Sequence, residues 1–182
     1  MVNPHKWLFV PVDCSPLFVR RPERVAHAFS ILPEYLITPE GGRATNLMDL
    51  GPALGRRFPG LKLRMTLRWF GREGIAARIR EHCRLARLFP GWVDGAPGWE
   101  RLAPVPFSTV VFRLRPADTP DEEADRLNER VLERVNATGE AFLSHTRIRG
   151  RFALRLAVGN LRTTEQNVRH AWNLLQEAAG NM

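Results

Sequence analysis

Along the chain, apolar residues fall first into short runs, then into two kinds of periodicity. Trp7-Leu8-Phe9-Val10-Pro11-Val12 reads as a short buried strand, and Pro16-Leu17-Phe18-Val19 as a second extended piece ending at Arg20-Arg21. Pro22-Glu23-Arg24 then opens a helical turn that runs to Phe29, because proline is preorganised for the first helical position. Between Leu36 and Gly51 the apolar signal fades among Pro39, Gly41 and Gly42, so this stretch is expected to be a loop. Leu61, Leu63, Met65, Leu67 and Trp69 alternate as a strand would, yet Leu61, Met65 and Trp69 also fit a helical i, i+4, i+8 stripe. Periodicity leaves both open.

After Gly71 the spacing of Ile75, Ile79, Cys83 and Ala86 is helical. Phe107 to Leu114 predicts a strand, and Thr119-Pro120-Asp121-Glu122 a helix start with Thr at the N-cap, Pro at N1 and Glu at N3. Leu127, Val131 and Val135 then line that helix's apolar face. Strands over Ala141 to Ile148 and Arg151 to Val158 flank an Arg149-Gly150 turn, and Thr164-Glu165-Gln166 opens a last helix with Val168, Ala171, Trp172 and Leu175 inward. Strand, helix, hairpin and helix make a small α+β domain with an antiparallel sheet.

Composition narrows the class. With 44% hydrophobic and 25% charged residues, the 182-residue chain has the makeup of a folded domain with an appendage. No apolar run reaches the roughly 18 to 20 residues of a membrane span, and the N-terminus lacks a signal-like core, so a cytoplasmic protein without membrane partners is expected. The formal charge of +8 would favour a polyanion. Its distribution does not, because arginines alternate with acids, as in Arg126-Leu127-Asn128-Glu129-Arg130, and form no basic arm. No nucleic-acid partner is expected, and a salt-sensitive basic binder is the weaker alternative. Cys14 and Cys83 have no CxxC spacing and no ligand cluster beside them; both are expected to be buried free thiols, with no metal site.

The candidate chemistry lies at the start. Asn3-Pro4-His5-Lys6-Trp7-Leu8, then Asp13-Cys14-Ser15, Pro33-Glu34-Tyr35-Leu36, Leu54-Gly55-Arg56-Arg57-Phe58 and Leu61-Lys62-Leu63 follow one another in an order and spacing that resembles the aromatic branch of the group II pyridoxal-phosphate decarboxylases. The similarity continues weakly through Phe152-Ala153-Leu154-Arg155 and the last helix. It implies a fold-type I enzyme and favours helix over strand for 61 to 69. By position, Lys6 looks like the Schiff-base lysine for pyridoxal 5'-phosphate, His5 like the neighbour of the cofactor phosphate, and Asn3 lies nearby. Tyr35, the sole tyrosine, falls where the family carries its catalytic-loop tyrosine. A phenol on a closing loop suits a general acid that reprotonates Cα while water is excluded. Gly55 resembles a position that approaches cofactor or substrate of the neighbouring subunit. Arg155 lies where other enzymes of this fold type hold a substrate carboxylate. A decarboxylase gains little by gripping the group it expels, so a structural ion pair is expected there.

The resemblance implies residues 1–60 as a remnant of the large cofactor-binding domain and 61–182 as the C-terminal small domain. The family's ring-stacking His and its Asp for the pyridine nitrogen lie upstream of the lysine motif and have no counterpart here. The chain is therefore expected to be the C-terminal part of a carboxy-lyase, inactive alone, whose complete form is a homodimer turning aromatic L-amino acids into amine and CO2. A non-catalytic module pairing with a separately encoded N-terminal half is the alternative.

Overall fold

The computed structural model describes residues 1–30, 47–53, 55 and 57–180. Its elements run α1 (Pro22–Phe29), a 3-10 turn (Leu47–Leu50), α2 (Pro59–Asp94), β1 (Trp99–Arg101), β2 (Thr109–Leu114), α3 (Asp121–Ala137), β3 (Ser144–Ile148), β4 (Arg151–Ala157) and α4 (Glu165–Gly180). Within α2 the backbone of Gly71 leaves the helical region, at φ 65° and ψ 174°. Only glycine adopts such a conformation without strain. The chain divides there into two units, residues 1–71 and 72–182. The sequence reading put the division at 60/61; the leading turns of α2 join the first unit.

In the first unit α1 forms where proline predicts it, but it buries no residue. The expected strand over residues 7–12 is absent: residues 4–8 are turn and Phe9 takes a left-handed φ of 61°. The expected second extended piece, residues 16–19, likewise forms no strand. Residues 61–69 are helical, yet Leu61, Met65 and Trp69 are all exposed.

The second unit carries the core. Beyond Gly71, α2 runs past Pro90 to Asp94, since Leu85, Phe89 and Val93 are fully buried and their packing outweighs the hydrogen bond lost at proline. The four strands form one antiparallel sheet in the order β1-β2-β4-β3. β1, unforeseen in the sequence, is only three residues long and pairs Trp99 with Leu114. The β3–β4 turn has φ of 51° at Arg149 and 82° at Gly150, the signature of a type I′ hairpin. Core residues Val110, Phe112, Leu154 and Leu156 pack with Val131, Val135, Val168, Ala171 and Leu175 of the helices. Trp99, Phe89, Phe112 and Trp172 form a ring cluster with centroids 5.0 to 5.9 Å apart. The α+β class with an antiparallel sheet is as expected.

The caps differ from expectation at α3. Pro120, not Thr119, is its N-cap and makes no side-chain cap. Asp121, Glu122 and Glu123 in the first turn instead complement the helix dipole. At α4 the box forms with Asn167 in place of glutamate: Thr164 N–H donates to Asn167 Oδ1 at 2.9 Å, and Asn167 N–H returns to Thr164 Oγ1 at 3.4 Å. Cys14 is buried as expected, but Cys83 is only half-buried; both are free.

Candidate active site

Asn3-Pro4-His5-Lys6 folds as a β-turn because proline presets φ at the second position and asparagine suits the first. Lys6 N–H closes the turn on Asn3 C=O at 2.9 Å. Residues 14–16 run alongside, with Val2 N–H donating to Pro16 C=O at 3.1 Å and His5 N–H to Cys14 C=O at 3.4 Å. Pro4, Val10 and Cys14 are buried, whereas the Lys6 side chain is exposed at the end of the turn. Among the described residues no side chain pairs with the Lys6 amine.

His5 is held from one side. Its Nδ1 lies 2.7 Å from Cys14 C=O and 3.2 Å from Ser15 Oγ, and Ser15 O–H donates to Asn3 Oδ1 at 2.9 Å. Asn3, His5 and Lys6 thus share one turn, and Ser15 joins the first two. Ser15 lies in the Asp13-Cys14-Ser15 stretch, but its part is invisible in sequence because it depends on the return of residue 15 to residue 3.

Gly55 lies elsewhere in the same unit. With Asp13, Leu50, Arg57 and Pro59 it lines a cavity of about 450 Å³, within the range of small-molecule pockets. A Cβ built on Gly55 would meet no atom within 4 Å. Among the described residues, neither packing nor a positive φ requires glycine there. Beside this cavity Lys62 Nζ reaches Asp13 at 3.7 Å, and Cys14 S–H points to Pro59 C=O at 3.9 Å, tying the residue 13–14 loop to the start of α2. Tyr35 lies outside the described residues. No group of three metal-ligating side chains forms among the described residues, and no helix of the described residues is long and apolar enough to cross a membrane.

The conserved domain described as pyridoxal-dependent decarboxylase matches residues 1–115, the segment holding this turn and the cavity. The chain belongs to that family. Over 180 residues it is 40% identical to tyrosine decarboxylase 2 of Arabidopsis thaliana, covering 98% of this chain and 33% of that protein. It is 37% identical over 180 residues to phenylacetaldehyde synthase of the same plant, covering 98% and 37%. A crystal structure described as Oryza sativa TDC with PLP and tryptamine superposes with a TM-score of 0.88 at 38% identity, over 99% of this chain and 38% of that one. The chain therefore spans about a third of the length of these relatives.

The family's cofactor is pyridoxal phosphate, and the turn fits two of its ends. An unpaired, exposed primary amine suits its aldehyde. An imidazole anchored through Nδ1 keeps Nε2 uncommitted, a nitrogen that donates to an anionic group once the ring is protonated. At Arg155 an ion pair is expected, but among the described residues it makes none and bonds only Ser144 Oγ, at 3.3 Å. The ion pairs gather around Arg113, wholly buried on β2, whose Nη2 meets Asp121 at 2.8 Å and whose Nε meets Glu100. Burial opposes the Arg113 charge, but these two carboxylates outweigh it and raise its pKa. Its hydrogen bond in turn holds Asp121 below the usual carboxylate range.

Proposed function

We propose that this chain supplies the cofactor-lysine segment and the C-terminal small domain of a pyridoxal-phosphate-dependent decarboxylase acting on aromatic L-amino acids, with amine and CO2 as products. The observation that carries the reading is the Asn3–Lys6 turn, which presents a free Lys6 amine beside an anchored His5. When bound, pyridoxal phosphate supplies an electron sink for the pair left at Cα by departing CO2. Lys6 would bind it through the amine, and His5, with Asn3 nearby, would orient its phosphate. Tyr35 would hold the proton delivered to Cα and keep water away. Gly55, where a Cβ would meet nothing within 4 Å among the described residues, would leave room for a bulky ring.

In this reading residues 1–60 belong with a large domain and 61–182 form the small one, the complete enzyme is a homodimer, and it works in the cytoplasm, where free thiols persist. Of 16 large hydrophobic side chains described as exposed, 13 lie in residues 1–71. Such a concentration supports an extensive partner surface there.

The test is complementation. Co-expressed with the N-terminal two-thirds of a relative, the chain should take up pyridoxal phosphate, become labelled at Lys6 after borohydride, and release amine from tryptophan or tyrosine. Stable pairing with no Lys6 label and no turnover would replace this reading by that of a non-catalytic interaction module. In the paired enzyme Tyr35→Phe should slow protonation at Cα and move product from amine toward aldehyde under air. An unchanged ratio and rate would remove Tyr35 from that role.

A further inference from the structure

The short contact at His5 decides where its proton sits. A carbonyl oxygen can only accept, so the 2.7 Å approach of Nδ1 to Cys14 C=O requires a proton on Nδ1. Cys14 N–H also points at Nδ1, at 3.2 Å, and asks for a bare nitrogen; the carbonyl contact is the shorter of the two, so the bond to Cys14 C=O prevails and the Cys14 N–H is left without its ring acceptor. Ser15 agrees with the first arrangement. Its hydroxyl has one proton, which goes to Asn3 Oδ1 at 2.9 Å, so toward Nδ1, 3.2 Å away, it offers a lone pair. Asn3 thereby sets the direction of the whole chain: Ser15 donates to Asn3, and His5 donates to Cys14 C=O with Ser15 Oγ as second acceptor.

We propose that Ser15 is a positioning residue, polarised by Asn3, which adds to the Cys14 carbonyl in holding His5 as its Nδ1–H tautomer and leaves Nε2 the nitrogen available to a ligand. The consequence for the cofactor rests on the function proposed above. A neutral His5 so fixed has no N–H to give a phosphate, and the ring becomes a charge-assisted donor there only as imidazolium. A lone serine on the surface would have no such directional effect.

The tautomer is measurable on the chain without cofactor, from the ring ¹⁵N shifts of His5 at about pH 9, where an ordinary imidazole is neutral. Wild type should show a proton on Nδ1. Ser15→Ala and Asn3→Ala should each move the tautomer ratio about fivefold toward Nε2–H, the scale of one net hydrogen bond. Asn3→Asp, whose carboxylate can only accept, should keep the wild-type ratio, as should Ser15→Thr. That rescue separates a directional role from a structural one. If Ser15→Ala fails to fold, the Asn3→Ala and Asn3→Asp pair still decides. A wild-type Nε2–H ring, an unmoved ratio in the alanine variants, or Asn3→Asp behaving like Asn3→Ala would overturn the proposal. Failure to label Lys6 in the complemented enzyme would overturn the function and leave this tautomer result standing.

Discussion

Asn128 replaces, with one side chain, the partners that Leu114 lacks once the β2–β4 pairing stops at Phe112 and Leu154. Fully buried in α3, it accepts from Leu114 N–H at 2.8 Å and donates to the carbonyls of Leu114 and Ala124, both at 2.7 Å. Asn128→Leu leaves buried backbone groups unpaired and should cost about 2–4 kcal/mol, read as a lower urea midpoint. His82 is a second buried polar group, its Nε2 3.1 Å from Asn160 C=O. Burial lowers its pKa, and the bond to Asn160 and the neighbouring Glu81 only partly offset burial and Arg78. The unfolded state therefore binds a proton more readily than the native one. Stability should be fullest above the ordinary imidazole value of about 6.5 and fall as pH drops through it, and His82→Gln should flatten that slope. Asp121 acts lower on the scale: its carboxyl is depressed by Arg113, so its contribution holds above about pH 4 and is lost on further acidification. A denaturation series from pH 8 to 3 in wild type, His82→Gln and Asp121→Asn would separate the two windows.

Among the elements, the β3–β4 hairpin carries a visible local cost. A type I′ turn needs positive φ at both central residues, and Arg149, at 51°, lacks glycine's freedom. Arg149→Gly should raise stability by about 0.5–1 kcal/mol, while Gly150→Ala at φ 82° should lower it by a similar amount. Thermal melts of both variants check the sign. The hairpin was legible in the sequence because alternation and a glycine-containing turn are local features. Its neighbour β1 was not, since Trp99–Arg101 is too short to show a period and exists through its pairing with β2. The cap of α3 misled for a related reason: Asp121 is drawn to Arg113, a strand residue eight positions earlier.

At the scale of the molecule, the two units differ in what they bury. Among the described residues of 1–71, only Pro4, Val10, Cys14 and Gly51 are buried, whereas residues 72–182 enclose a continuous core of three helices on a sheet. Residues 72–182 expressed alone should therefore unfold cooperatively in urea. The full chain should bind several-fold more of a hydrophobic dye than that piece does, and the excess should vanish on pairing with an N-terminal partner. Equal dye binding by the two would contradict a concentration of uncovered apolar surface in the first unit.

The sequence by itself determined the features that depend on near neighbours: the proline-led start of α1 at Pro22, the helical spacing after Gly71, the hairpin, the last helix, and the lysine motif with the family it belongs to. Tertiary structure decided what distance along the chain conceals. The run Trp7 to Val12 has the composition of a strand but no partner strand among the described residues, and strands exist only in pairs. Arg155 and Arg113 look alike in sequence, yet only Arg113 stands where β1 and the start of α3 bring carboxylates to it. Ser15 and His5 meet because the chain folds back on itself, and the direction of the proton between them follows from that meeting.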